Sequence, residues 1–138
     1  MATVGTLKIQ ATLKDLEGIR DFIEHAAKKI GLPDQATGEI RLAVDEACAN
    51  ILAHGYKGNE GELEILVNHE GQKMIVTVSD KAPKFDPIQN GVEPDFNLPL
   101  LERPMGGMGL YLMKLNTDSV EYRSIPSGGN ILILTKNF

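Results

Sequence analysis

The stretch Val44-Asp45-Glu46-Ala47-Cys48-Ala49-Asn50-Ile51-Leu52-Ala53-His54-Gly55-Tyr56 decides how the chain is read. Ile40, Ala43, Val44, Ala47 and Ile51 recur at three- and four-residue steps, the mark of one apolar stripe on a helix. Glu46 and Asn50 stand one turn apart beside that stripe, so their side chains can converge on one small volume. A carboxylate next to a carboxamide oxygen can serve as a base with a hard-cation ligand, because Mg²⁺ accepts oxygen donors. An isolated pair of this kind is more often two solvated residues on an exposed face, and only the rest of the chain weighs the two readings.

Working outward, the helix is expected to begin near Asp34 to Thr37, either of which can cap it, and to run to about His54 before Gly55. Upstream, Leu16, Ile19, Ile23, Ala26, Ala27 and Ile30 set a helical period over Leu13 to Ile30, which Gly31 and Pro33 stop. Thr6 to Thr12 alternates apolar and polar, as a half-buried strand does. Downstream, Glu62 to Asn68 alternates around Leu63, Ile65 and Val67, and Lys73 to Ser79 around Met74, Val76 and Val78. The short polar His69 to Gln72 turn between them predicts an antiparallel hairpin. Asp80 to Met105 then carries Pro83, Pro87, Pro94, Pro99 and Pro104 with no sustained period, and a connection of this length is usually functional. Gly106-Gly107-Met108-Gly109 opens a short helix over Leu110 to Leu115. Ser119 to Ser124 and Ile131 to Lys136, joined through Pro126 to Asn130, form a second hairpin. These elements predict an α+β two-layer sandwich: a mainly antiparallel sheet of about five strands with helices on one face, in one domain over 1–138.

Composition bounds the rest. At 138 residues, 42% hydrophobic and 24% charged, the chain is long enough for a core without staples. A net charge of −5 with no basic run offers no surface for a polyanion, so no nucleic-acid contact is expected. The one cysteine, Cys48, lies inside the helical pattern and reads as a small buried apolar residue rather than a nucleophile. No apolar run approaches the roughly 18 residues that span a membrane, and Met1 to Gly5 has neither a basic nor an apolar leader region. No membrane contact and a cytoplasmic location are the expectation.

Two further pieces can carry chemistry. Asp80 ends a strand, where a carboxylate can accept a hydrogen bond from a purine amine; an Asp there also commonly just starts a turn. The Gly106 to Gly109 run precedes a helix, where unobstructed backbone N–H groups favour phosphate oxygens; the bland alternative is a glycine-rich turn with no ligand.

In order and spacing, these pieces resemble the Bergerat-type (GHKL) ATPase domain, and more closely its anti-sigma-factor serine kinases, the RsbW/SpoIIAB family. The resemblance spans nearly the whole chain. Glu46-Ala47-Cys48-Ala49-Asn50 looks like the N-box, followed by Ile51, His54 and Tyr56 of the subgroup pattern. Asp80 to Pro87, with its Phe85-Asp86-Pro87 ending, looks like the G1 box, and Arg103 to Leu110 like the G2 box. Gly129-Asn130-Ile131-Leu132-Ile133-Leu134 also fits.

The resemblance implies an ATP- and Mg²⁺-dependent serine/threonine protein kinase. It would phosphorylate a STAS-domain antagonist and sequester a sigma factor, and it would be a homodimer. Glu46 would be the general base, Asn50 the Mg²⁺ ligand and Asp80 the acceptor of the adenine amine. Ala82, Phe85, Gly106, Gly107, Met108, Gly109 and Leu110 would line the nucleotide site, with Gly107 and Gly109 admitting phosphates to backbone amides. Residues of about 88–105 would form an ATP lid, and Arg103 at its end would stabilise γ-phosphate charge or remain a solvated lid cation. His54 reads as structural, closing the helix. Arg20 reads as a partner contact or as a solvated, stem-packed cation.

One departure stands out: the G1 box usually has Gly two residues after the Asp, and here that position is Ala82. An added methyl near the adenine, and reluctance to take φ > 0, are expected to alter affinity without abolishing binding. A regulatory module that binds ATP and a partner but transfers no phosphate is the alternative. A detached histidine-kinase catalytic half would need a phospho-acceptor His on a dimerising helix pair, which His25 does not supply.

Overall fold

Leu63, Ile65 and Val67 on one strand, and Met74, Val76 and Val78 on the next, are fully buried, and the residues between them are less so. That period of two makes a sheet with one face in the core. In the computed structural model residues 1–84 and 107–138 are described, leaving aside the side chains of residues 107 and 108. The expected lid over 88–105, together with Phe85, Arg103 and Gly106, lies outside the described residues.

Among the described residues five strands form the sheet: β1 (Ala2–Ala11), β2 (Gly61–Glu70), β3 (Lys73–Asp80), β4 (Ser119–Ser124) and β5 (Asn130–Asn137). Their order is β1-β2-β3-β5-β4 and every pairing is antiparallel. The expected α+β sandwich is borne out. The β2–β3 and β4–β5 hairpins are those read from the sequence, while β1 begins four residues before Thr6.

Among the described residues three helices pack on the sheet: α1 (Leu16–Ile30), α2 (Asp34–Asn50) and α3 (Gly107–Leu115). A 3₁₀ turn over Leu13–Asp15 precedes α1 and is closed by a capping box. There the Thr12 N–H donates to Asp15 Oδ2 at 2.8 Å and the Lys14 N–H to Thr12 Oγ1 at 3.3 Å. Gly31 ends α1 at φ 94°, as its position predicted.

The expected cap of α2 is corrected. Pro33 occupies the cap position, Asp34 is already helical, and the Thr37 hydroxyl donates to the Pro33 carbonyl at 3.0 Å. Proline's fixed φ starts the helix without a side-chain acceptor. Ile19, Ile23, Ile40, Ala43, Val44, Ala47 and Cys48 meet the inward rows of the sheet in one core. Arg20 Nε donates to Asp45 Oδ1 at 2.7 Å, tying α1 to α2 at the surface.

Candidate nucleotide site

The inward row of β3 runs Met74, Val76, Val78 and then Asp80, and that of β5 runs Leu134, Leu132 and then Asn130. Each row therefore ends in a polar residue on the core side. Asp80 is 4% exposed and Asn130 6%, and the two are register partners. Asn130 Nδ2 donates to Asp80 Oδ1 at 2.9 Å and to the carbonyls of Pro83 and Ala82 at 3.1 and 3.3 Å. Asn130 Oδ1 accepts from the Tyr122 hydroxyl at 2.5 Å. The Ala82 N–H also donates to Asp80 Oδ1, at 2.9 Å. Burial pushes the Asp80 carboxyl up from its ordinary value, and the Asn130 and Ala82 bonds pull it part of the way back. Gly129, at φ 111°, permits this closeness, because a Cβ there would overlap the Asp80 carbonyl oxygen.

Asp80 stands at the edge of a narrow hollow of about 400 Å³, counted out to its open mouth. Asn50 also lines it, and Ile51, Ala82, Met113 and Leu132 form apolar walls. An apolar hollow with a few convergent polar groups is the usual form of a small-molecule site. The structure thus brings Asn50, Asp80 and Ala82 together from α2, β3 and the turn after it.

Glu46 sits one turn back from Asn50 on α2, half-buried and outside the walls of the hollow. Burial, and to a lesser extent the neighbouring Asp45, raises its carboxyl. Cys48 faces the core, and burial pushes its thiol up to about 12, so it is no nucleophile near neutral pH.

Gly109 meets Asn50 directly. A Cβ on Gly109 would stand 2.7 Å from Asn50 Nδ2 and 3.2 Å from Oδ1. Its φ is not positive, so the glycine serves close approach of α3 to α2 rather than backbone freedom. Gly107 and Met108 begin α3, and Leu110 is buried in the core rather than in the hollow.

After Asn50 the helix widens into a π turn over Ile51–Gly55, with the Tyr56 N–H reaching the Ile51 carbonyl at 2.8 Å. Such turns insert an extra residue and are frequent at functional sites. This one carries Gly55 against Ala82: a Cβ on Gly55 would lie 3.0 Å from that of Ala82. Ala82 is 2% exposed and needs no positive φ, since Lys57 is the one non-glycine with φ > 0 among the described residues. Its methyl is accommodated by the glycine opposite. His54 is exposed and makes no capping bond among the described residues; the Tyr56 and Gly58 amides close the turn instead.

The roles of Asn130, Tyr122 and Tyr56 were not singled out from the sequence. A signal existed for Asn130, a polar residue at an inward strand position just after Gly128-Gly129. Among the described residues no group of three His, Cys, Asp or Glu could hold a metal ion. A cation held beside Asn50 would have to draw most of its ligands from phosphates and water, as Mg²⁺ does at nucleotide sites. No helix of the described residues is long and apolar enough to cross a membrane.

Comparison with known proteins decides the kinship. A model of the histidine kinase-like ATPase domain matches residues 9–136. The chain belongs to that family. Among curated relatives, the serine-protein kinase RsbW of Bacillus cereus is 29% identical over 133 residues, covering 94% of this chain and 82% of the relative. The RsbW proteins of Bacillus mycoides and Bacillus anthracis are 28% identical with the same coverage. A crystal structure of the RsbU and RsbW domains of a Mycobacterium tuberculosis protein superposes with a TM-score of 0.64 at 17% identity. That match covers 96% of this chain and 32% of the longer one, and it supports the histidine kinase-like ATPase fold alone. The expected kinship with the RsbW-type kinases is borne out.

Proposed function

We propose that this protein is an ATP-dependent serine/threonine protein kinase that phosphorylates a STAS-domain antagonist and acts as an anti-sigma factor by sequestering a sigma factor. The observation that carries the reading is that the buried Asp80 and Asn50 line one mostly apolar hollow. The bonds to Asp80 from described residues both fall on Oδ1. That leaves Oδ2 to accept from the exocyclic amine of adenine, while Ile51, Ala82 and Met113 face the ring.

Asn50 would supply an oxygen ligand to Mg²⁺, which neutralises charge on the phosphates when bound. The backbone at Gly107 and Gly109 opens α3, where N–H groups and the helix dipole favour phosphate oxygens. Glu46 would take the proton of the serine hydroxyl as its oxygen attacks the γ-phosphorus, with the bond to ADP breaking. Burial raises its carboxyl above the ordinary value, the direction that favours proton uptake by a base. Arg103 would stabilise charge on the transferring group, Phe85, Gly106 and Met108 would complete the surroundings of the nucleotide with Leu110 supporting them from the core, and residues of about 88–105 would cover it. Positioning and charge neutralisation are most of what phosphoryl transfer requires. The protein would act in the cytoplasm as a homodimer.

The test mixes the protein with ATP, Mg²⁺ and a candidate STAS-domain antagonist. The proposal expects phosphoserine or phosphothreonine on the antagonist, lost with Glu46→Ala. Tight partner binding without transfer would replace the kinase with a regulatory ATP-binding module.

A further inference from the structure

We propose that Tyr56 is a positioning residue for nucleotide recognition, holding the turn that carries Asp80 and Ala82 against the end of the helix that carries Glu46 and Asn50. The proposal rests on the ATP-site reading given above.

The Tyr56 hydroxyl sits between two strands. It accepts from the Lys81 N–H at 2.7 Å and donates to the Glu62 carbonyl at 2.7 Å. Lys81 is the central residue of a tight turn in which Asp80 Oδ1 accepts from the Ala82 N–H. That arrangement is an Asx-turn, a local bond that sets the turn's shape but not its place in the molecule. The Lys81 amide is the donor left outside the turn, and Tyr56 takes it. The same hydroxyl anchors to β2, which pairs with β3 from Leu63 onward, so the turn is referred to the sheet as well as to the helix.

The ring is fixed as firmly as the hydroxyl. Gly61, first residue of β2, is buried beneath it, and a Cβ there would overlap the Tyr56 ring. Tyr56 directly follows Gly55, which faces Ala82. One short segment therefore meets the recognition turn twice, through the Tyr56 hydroxyl on the Lys81 N–H and through the close approach of Gly55 to Ala82. Glu62 reinforces the arrangement: its carboxylate oxygens pair with Lys8 and Lys81, each at 3.1 Å. Those lysines are exposed, and such pairs contribute little on their own. The phenol is the strong link.

Without the hydroxyl, Asp80 keeps its partners Asn130 and Ala82 but loses its reference to α2. The expected effect is therefore on recognition of the base rather than on the fold. Titrations of ADP and GDP with Mg²⁺ into the full chain, wild type against Tyr56→Phe, test this alongside thermal unfolding. Phe keeps the ring over Gly61 and removes only the oxygen. ADP should bind roughly three- to tenfold more weakly, the span that corresponds to one ordinary hydrogen bond. The preference for ADP over GDP should shrink, because a displaced carboxylate reads the base amine less well, while the melting temperature moves little. Gly61→Ala, which displaces the ring from the other side, should reproduce the loss of preference. Unchanged ADP affinity in Tyr56→Phe would overturn the inference. So would ADP and GDP affinities falling in equal proportion with a large drop in melting temperature, which marks a purely structural role. Failure of the wild-type chain itself to bind ADP would strike the ATP-site reading, and this inference only through it.

Discussion

Asn130 Nδ2 donates to Asp80 Oδ1 at 2.9 Å, and the two residues are paired partners at the ends of adjacent strands. The bond follows from strand alternation: the rows that place Val76, Val78, Leu132 and Leu134 in the core bring a carboxylate and a carboxamide together at its edge. Asn130 is itself held by Tyr122, so the carboxylate is oriented by a chain of groups across β3, β5 and β4. Buried polar groups of this kind are costly unless bonded, and the bonds to Asp80 from described residues fall on Oδ1.

Replacing Asp80 by Asn should separate binding from stability. Asn keeps an oxygen for Asn130 and Ala82 but turns an amide N–H₂ toward the hollow, where it opposes the adenine amine. ADP affinity should fall at least tenfold, about 1.4 kcal/mol or more. The apo protein should be no less stable than wild type near neutral pH. Burial raises the Asp80 pKa on folding, so the folded state binds its proton more readily than the unfolded state. Its contribution to stability is then largest in acid and declines as pH rises from the ordinary carboxylate range through the raised value. Urea unfolding of both proteins at neutral pH and near pH 4 should show the variant's advantage shrinking on acidification. Greater stability of the wild type at neutral pH would contradict this account.

Glu46→Gln should leave ADP binding within about threefold and reduce phosphate transfer by a factor on the order of 10² to 10⁴, the usual worth of a positioned base. The pH profile carries a finer check. The base must be ionised, so transfer should fall as pH drops through the raised Glu46 value, closer to neutrality than for an exposed carboxylate. Burial is the main cause of that rise and Asp45 the lesser one, so Asp45→Asn should move the acid limb downward only modestly. A limb that stays in place in Asp45→Asn would remove Asp45 from the account.

Gly109→Ala tests whether the glycine at the start of α3 exists for Asn50. The new methyl would stand 2.7 Å from Asn50 Nδ2, so the carboxamide must move. Ala favours a helix over Gly by about 1 kcal/mol, which offsets part of the crowding cost of roughly 1–3 kcal/mol. The melting temperature should therefore change little, while the gain in ADP affinity on adding Mg²⁺ should shrink several-fold. Titrations with and without Mg²⁺ measure it. An undiminished Mg²⁺ effect would remove Asn50 from the cation's ligands.

Much of this was legible in the residue order, for identifiable reasons. The stripe of α2 repeats every turn, so Ile40, Val44 and Ala47 declare both the helix and the side on which Glu46 and Asn50 stand. Asp80 was visible because an acidic residue closed an alternating strand. What stayed hidden depends on contacts across long sequence separations. Asn130 meets Asp80 only because β5 inserts beside β3, across a sequence separation of 50. The π turn at Ile51–Gly55 leaves no periodic trace over five residues. Gly109 looked like a phosphate-loop glycine, and its packing against Asn50 appears only once α3 lies on α2. The capping role expected of Asp34 or Thr37 failed because Pro33 had already set the start of the helix.

Ala82 offers the sharpest test of packing, because it stands where the resemblance leads one to expect Gly. Its methyl points at Gly55, and a Cβ on Gly55 would lie 3.0 Å from it, closer than two methyls pack without movement. The space between the π turn and the Asp80 turn thus holds one methyl comfortably and two only under strain. Gly55→Ala alone should destabilise by about 1–3 kcal/mol through overpacking. Ala82→Gly alone should cost about 1 kcal/mol, from one buried methyl and a looser unfolded chain. Combined, the substitutions exchange the two residues and restore a single methyl, so the double variant should be more stable than the sum of the single losses by roughly 0.5–3 kcal/mol. Urea unfolding of the four proteins closes the cycle. Simple additivity would mean that the two positions do not share this space, and that the alanine is accommodated by some other movement of the turn.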